Sequence, residues 1–397
     1  MSSIVRTKEL FPMMPYSTKL CRIVGFWSDA SQPRAHWRVY AFEVLFTMML
    51  IIPGTVFIIR QDTDLVILLK ATFEVVSFFM FDIRFLVHVS HCDTLKACYY
   101  ELQEALTTFV DSPHEDVRGV LKKLQQVSGW SKYYHLAVFC QIQLYGPVGV
   151  VASVVMYMIG KIDVEDLPNP FIEVDYLFFN HRSSFWMWLL IAVISVLLEY
   201  AMLTLFVTNE TTHWGLLYHV SGLFKIIGME LTRLDACVDA DQYINKLGKL
   251  VEIHEAGYRC AARLEHALHN VVALLYGFCI TQICYIMFVM TLTDDVFILG
   301  GMIFVAQYLT FMIFSFSMFS NEMMDTSTSL TNIIYGTRWY ERSAREMQCV
   351  FFVLMRTQKG VAITAGKFFP ISRRTFAMAM RNAVSYLALM RQFYGDS

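Results

Sequence analysis

The chain has 397 residues, of which 56% are hydrophobic, 15% aromatic and 17% charged, with a formal net charge of −2. A soluble domain carries about 25% charged residues, so an ordinary soluble protein is excluded, and the near-neutral balance provides no basic surface for a nucleic acid. The apolar residues fall in blocks close to the ~20 needed to cross a bilayer as a helix, and the expected fold class is an all-α membrane protein.

In chain order, residues 1–38 are polar and basic, without the apolar stretch of a cleavable signal peptide, so the first span itself directs insertion. Candidate spans follow at Val39–Ile59, Leu65–Val87, Tyr133–Ile159, Ser184–Val207, Val271–Leu292 and Val296–Phe319, with a more polar seventh at Phe376–Phe393. Tight hairpins at Arg60–Asp64 and Thr293–Asp295 join the first to the second and the fifth to the sixth. The implied organisation is a cytoplasmic segment (1–38), four spans that form a ligand-binding bundle (39–207) and cytoplasmic anchor helices (208–270). Two further spans (271–319), a second anchor segment (320–375) and a pore-lining helix with the C-terminus (376–397) complete it.

Seven crossings put the two ends on opposite sides. The N-terminal segment and the connections two-to-three, four-to-five and six-to-seven hold 25 Lys and Arg, whereas the opposite connections hold only Arg60, Lys161 and Arg182. Basic residues stay cytoplasmic, so the N-terminus is cytoplasmic and the C-terminus extracellular. The external loop 160–183 is acidic and lacks cysteine; all nine cysteines fall in membrane or cytosol, where thiols stay reduced. The sequon Asn209-Glu210-Thr211 falls on the cytoplasmic side and should carry no glycan. A G-protein-coupled receptor has seven helices but an external N-terminus, and this orientation excludes it.

The seventh segment contains Arg381, Asn382, Arg391 and Gln392, too many polar groups for a helix surrounded by lipid. Asn382, Tyr386, Leu389 and Phe393 recur at helical spacing and share one stripe, polar at its start and bulky and apolar at its end. Copies of such a helix around an axis would form a pore with a hydrophobic gate, which requires an oligomer. An ordinary bundle helix with polar ends has the same pattern, and the stripe alone leaves both readings open.

The C-terminal residues Lys367-Phe368-Phe369-Pro370-Ile371-Ser372, Thr375-Phe376 and Ser385-Tyr386-Leu387-Ala388-Leu389-Met390-Arg391-Gln392-Phe393 resemble the tail signature of insect odorant receptors. Length, span number and inverted topology agree with that family, although motif resemblance is confined to the last ~30 residues. Gustatory receptors share part of the ending, so a gustatory channel of the same fold stays open, as does a transporter, although the internal repeats of transporters are absent. The resemblance implies a heterotetrameric, non-selective cation channel in the plasma membrane of olfactory neuron dendrites. In it, a tuning subunit such as this one pairs with the odorant receptor coreceptor and binds a small volatile odorant, aromatic ones included. Carried over by the tail motif, Leu389 would be the gate, with Gln392 and Phe393 just outside it. Arg391 departs from the neutral residue common there and is expected to point away from the axis.

The same resemblance places the odorant pocket in the outer half of helices two to six, surrounded by membrane lipid. A small apolar ligand suits a dry aromatic cavity. Phe73, Val76, Ser77 and Met80 on the second span, Gly149, Ser153 and Tyr157 on the third, Trp188 and Ala192 on the fourth, and Tyr285 and Phe288 on the fifth each form a face. Ordinary helix packing uses the same residue types.

The remaining polar groups read as structural. Asp82 and Arg84 pair or reach the interface, and Glu74 makes a buried hydrogen bond. His254, His266 and His269 with Glu255 and Glu265 form a solvated face. No third ligand completes a metal site, Gly300-Gly301 lacks a phosphate-loop context, and no motif argues for an enzyme or a cofactor. Residues 341–356 alternate charged and apolar side chains at helical spacing, as an intersubunit contact would.

Overall fold

A computed structural model describes residues 10–27, 36–60, 65–169, 172–292 and 296–394, without the side chains of 144–145, 296–298, 387 and 389–394. The expected hairpins Arg60–Asp64 and Thr293–Asp295 and the basic residues Arg6, Lys8 and Arg34 fall largely outside this set. The fold is all-α apart from one small hairpin. Its elements are α1 (Pro15–Val24), α2 (Trp37–Phe46), a π-helical turn (Thr47–Ile51), α3 (Ile52–Arg60), α4 (Leu65–Thr107), α5 (Glu115–Tyr145) and α6 (Pro147–Met158). They continue with α7 (Phe185–Leu234), α8 (Ala240–Val289), α9 (Val296–Tyr335), α10 (Ala344–Thr357), β1 (Thr364–Ala365), β2 (Phe369–Pro370) and α11 (Arg373–Tyr394).

Among the described residues, five helical stretches are long and apolar enough to cross a membrane: Trp37–Arg60, Glu115–Met158, Phe185–Leu234, Ala240–Val289 and Leu299–Glu341. The second and seventh spans lie on α4 and α11, which are not among these five. Lys70, Glu74, Asp82 and Arg84 interrupt the first half of α4, and these groups need protein partners rather than lipid. The helices also run past the expected limits of their spans. α7 and α8 have 50 residues each and cross the boundaries at 207 and 271 without interruption.

α7 is the central element, packed on α9, α5, α8 and α4. Its side chains from Leu205 to Trp214 are all buried, including the polar run Thr208-Asn209-Glu210-Thr211-Thr212-His213. Small residues let neighbours close in on it: a Cβ at Gly222 would lie 2.7 Å from Leu124 of α5, and one at Gly228 2.8 Å from Ile333 of α9.

Buried polar groups need partners, and the run on α7 draws them from two other helices. Arg84 of α4 forms an ion pair with Glu210 and donates to the Asn209 carboxamide oxygen at 3.2 Å. One turn along, the His88 and His213 rings meet at 3.0 Å. From α1, Ser17 donates to Thr211 at 3.0 Å, and the Cys21 thiol lies 3.2 Å from the Thr212 hydroxyl. Asp82 accepts from Thr47 at 3.0 Å. The charges expected to pair near this end of α4 therefore do so inside the protein. Asn209 is fully buried, a second reason for its sequon to stay unused.

The regular hydrogen bonding of the first span is interrupted by its own sequence. Pro53 has no N–H to offer the carbonyl four residues earlier, and the π-turn lies at that point. The freed Met49 carbonyl accepts from the Tyr176 hydroxyl at 3.1 Å, and the Asp175 N–H donates to the Pro53 carbonyl at 3.0 Å. Loop 160–183 is thereby fastened to the first span.

At the opposite, basic end, α10 begins with a capping box: the Ser343 hydroxyl receives the Glu346 N–H, and the Glu346 carboxylate receives the Ser343 N–H at 3.0 Å. The Ser343 hydroxyl and main chain hold the Glu346 carboxyl below its ordinary range. α10 buries Val350 and leaves Phe351, Phe352 and Met355 on its outer surface. The tail signature then forms the β1–β2 hairpin, with Gly366 and Lys367 both in the left-handed region, φ 56° and 65°. The hairpin is pinned to α8: the Gly366 N–H donates to the His269 carbonyl and the Thr364 N–H to the Glu265 carboxylate, both at 2.8 Å. Ser372 and Thr375 then exchange hydrogen bonds across the start of α11, with Oγ1 of Thr375 accepting from the Ser372 N–H at 2.7 Å. Two histidine-face expectations change: His254 is buried, and Glu265 serves the hairpin, whereas His266 is exposed.

Replacing Arg84 with Met is expected to destabilise the protein by about 3–5 kcal/mol, because Glu210 becomes an unpaired buried charge. The double replacement Arg84→Met with Glu210→Leu should recover most of that loss in detergent unfolding. Equal losses in the two variants would show that the pair is not the source.

Candidate functional site

A cavity of about 410 Å³ lies between α4, α5, α7 and α9, within the ~300–1,000 Å³ typical of small-molecule sites. Each helix contributes one face. Residues 73, 77 and 81 of α4 follow one another at spacings of four, so Phe73, Ser77 and Phe81 point the same way, joined by Glu74 and Phe78. α5 supplies Val138, Gln141 and Ile142, and α7 supplies Glu199, Met202, Leu203 and Phe206. α9 brings Phe304, Val305, Tyr308 and Leu309, and its Gly300-Gly301 pair opens one wall, since a Cβ at either position would meet nothing within 4 Å. The lining is therefore mostly apolar and ring-rich, with a few polar groups.

α8 braces the wall from behind. Gln282 donates to Ser77 at 2.8 Å, while the Ser77 hydroxyl donates to the Phe73 carbonyl at 2.7 Å. Tyr285 stacks on Phe73 with ring centres 6.0 Å apart, and its hydroxyl donates to the Leu69 carbonyl at 2.8 Å. The Ser77 and Tyr285 hydroxyls are thus engaged in contacts that hold α4 and α8 together. Glu74 is fully buried, and the Lys70 ammonium lies 3.8 Å away.

Of the residues expected to bind ligand, Phe73 and Ser77 line this cavity. Val76 is exposed on the outer face of α4. Met80 borders a separate void of about 20 Å³ beside Arg84. Phe288 is half-buried on α8. Trp188 and Ala192 form a small cluster of their own with Leu167, against which Tyr157 packs. There the Trp188 indole donates to the Pro168 carbonyl at 2.9 Å, Tyr157 stacks on Phe185 at 4.3 Å, and Ser153 is buried and donates to the Gly149 carbonyl at 2.8 Å. Gly149, on the same helix, is exposed. Trp188 and Ala192 lie about two to three helical turns before Glu199 on α7, so residues from one span need not share one site.

Sequence reasoning missed Glu199, Leu203, Phe206, Phe304 and Tyr308. A signal for Glu199 was present: it is a lone charge in the middle of an apolar span, and ionisable groups there mark function. The Gly300-Gly301 pair also mattered, through the space it leaves rather than through phosphate chemistry.

α11 packs against α8 and α9. Ala383 is buried, whereas Arg381, Asn382, Val384, Ser385 and Tyr386 are exposed. The side chains of Leu389, Arg391, Gln392 and Phe393 lie outside the described residues. Among the described residues, no group of three or more metal-ligating side chains occurs.

Residues 64–384 match the 7tm odorant receptor family. The chain is 26% identical over 200 residues to odorant receptor 9a of Drosophila melanogaster, covering 50% of each chain. Over 80 residues it is 31% identical to the odorant receptor coreceptor of Ooceraea biroi, covering 20% of this chain and 17% of that one. The chain thus spans about half the length, or less, of these curated relatives in its matches. The insect olfactory receptor OR5 from Machilis hrabei has the same fold, with a TM-score of 0.81 at 15% identity over 96% of this chain and 97% of that one. The structure of the same receptor in complex with eugenol gives 0.75 at 14% identity over the same shares. The extent of the family match, 64–384 of 397 residues, places the protein: it belongs to the odorant receptor family.

Proposed function

We propose that this chain is the tuning subunit of a heteromeric, ligand-gated, non-selective cation channel in the plasma membrane, paired with the odorant receptor coreceptor. It would bind a small volatile odorant in the α4–α5–α7–α9 cavity. The observation that carries this reading is the cavity itself, apolar and ring-lined, in a membrane protein of the odorant receptor family. An odorant receptor of the same fold is known in complex with eugenol, a small aromatic molecule, and the volume here suits a ligand of that size.

The pore is assigned to α11. A helix that presents Arg381, Asn382 and Tyr386 outward is unstable against lipid and is satisfied if equivalent helices surround an aqueous axis. Leu389 would then close the axis as a hydrophobic constriction, with Gln392 and Phe393 beyond it. The outward-facing Phe351, Phe352 and Met355 of α10 fit a contact with a neighbouring subunit. A ligand opens such a channel only by binding the open arrangement more tightly than the closed one.

Currents evoked by a panel of volatiles, recorded from cells expressing the chain with and without coreceptor, test the reading as a whole. Currents without coreceptor, in response to tastants rather than volatiles, would favour a gustatory channel. Filling the cavity by Leu203→Trp should raise the half-maximal odorant concentration at least tenfold at unchanged surface expression, whereas Tyr157→Ala, outside the cavity, should not. The reverse pattern would move the site to the Trp188 cluster. Leu389→Ala should raise ligand-independent leak several-fold; an unaltered leak and permeation would count against the gate.

A further inference from the structure

The described lining of the cavity contains two acidic side chains, Glu74 and Glu199, and no basic one. Glu74 is balanced by Lys70, one turn away at 3.8 Å, which also faces Glu173 at 3.8 Å. Among the described residues Glu199 has no such balance: it is 0% exposed, and neither of its carboxylate oxygens has a hydrogen-bond partner among them.

Its position is set by a break in the third span. α5 ends and α6 begins around Gly146-Pro147, and a Cβ at Gly146 would lie 2.5 Å from Oε2 of Glu199 and 3.0 Å from Oε1. A side chain here would push the flexible end of Glu199 aside, so the glycine leaves the carboxylate in its present place in the cavity wall. A carboxylate buried without donors or a counter-ion is costly, and a cation entering the cavity would remove that cost. The rest of the wall favours one too. Phe73, Phe81, Phe206, Phe304 and Tyr308 line the same space, and aromatic faces attract ammonium groups.

We propose, on the reading of this cavity as the odorant site, that Glu199 is its specificity-determining residue and selects protonated amines carrying a small apolar body. The ammonium pairs with Glu199 while the body lies among the rings. Neutral molecules of the same shape fill the cavity without using the acid, and anions are repelled by both carboxylates.

The test is thermal unfolding of the detergent-solubilised full-length chain with 2-phenylethylamine, 2-phenylethanol or ethylbenzene, near-isosteric probes that differ in one group. The amine should stabilise the wild type at concentrations at least tenfold below the alcohol. Glu199→Gln, nearly the same size, should abolish that advantage and leave the neutral probes unchanged. Gly146→Ala, which displaces the carboxylate, should do the same and stands in if the first variant fails to fold. An advantage that survives both replacements, amine and alcohol acting alike on the wild type, or no stabilisation by the amine at millimolar concentration would overturn the proposal. Leu203→Trp separates the two layers. If it abolishes stabilisation by every probe while Glu199→Gln changes nothing, the cavity reading stands without the amine preference. If the probes still stabilise the Leu203→Trp protein, the cavity reading itself fails and takes the amine proposal with it.

Discussion

The buried polar run Thr208–His213 on α7 is the constraint on which the rest of the structure depends. Six consecutive residues that cannot face lipid or be left without partners oblige other helices to come to them. α4 answers with Arg84 and His88, α1 with Ser17 and Cys21. The positions of these two helices around α7 are therefore chemically specified, whereas apolar contacts alone would tolerate sliding. A pair such as Arg84–Glu210 adds little net stability over a well-packed apolar substitute. Its effect is to make wrong registers expensive.

With α4 locked in that register by Arg84, the faces of its preceding turns follow. Four and eight residues before it are Met80 and Val76; the neighbouring stripe Phe73, Ser77 and Phe81 turns into the bundle. Gln282 and Tyr285 fix the same stretch from α8. The cavity is thus walled on one side by a helix held at several points, and its free space comes from positions where side chains are missing, at Gly300 and Gly301. Anchored walls with local omissions give a preformed hollow, which lowers the ordering cost of binding.

Much of this was legible beforehand because the bilayer imposes simple rules. The all-α membrane fold follows from length and hydropathy and is the fold observed, although the first span carries a π-turn and the third breaks at Gly146-Pro147. The pairing of Arg84 was anticipated in kind, though not its partner, because Glu210 and Asn209 lie 125 residues or more away and no local pattern encodes that separation. The lining of the cavity was only partly traced for a related reason. Periodicity tells which residues share a face but not which neighbour that face meets, so Phe73 and Ser77 line the cavity while Trp188 and Ala192 complete a different cluster. Gly300-Gly301 could not be weighed from sequence at all, since an absent side chain gains meaning only from the empty space beside it.

The continuity of α7 and α8 carries a mechanical consequence. Fifty residues at 1.5 Å each make a rod of about 75 Å, more than twice the ~30 Å hydrocarbon thickness. Leu203 and Phe206 sit on the same unhinged shaft as the glycines that seat α5 and α9. Swinging such a shaft by about 3° carries one end some 4 Å relative to the other. Small adjustments around a bound molecule are thus geared up along the shaft, without any joint in which the motion could be lost.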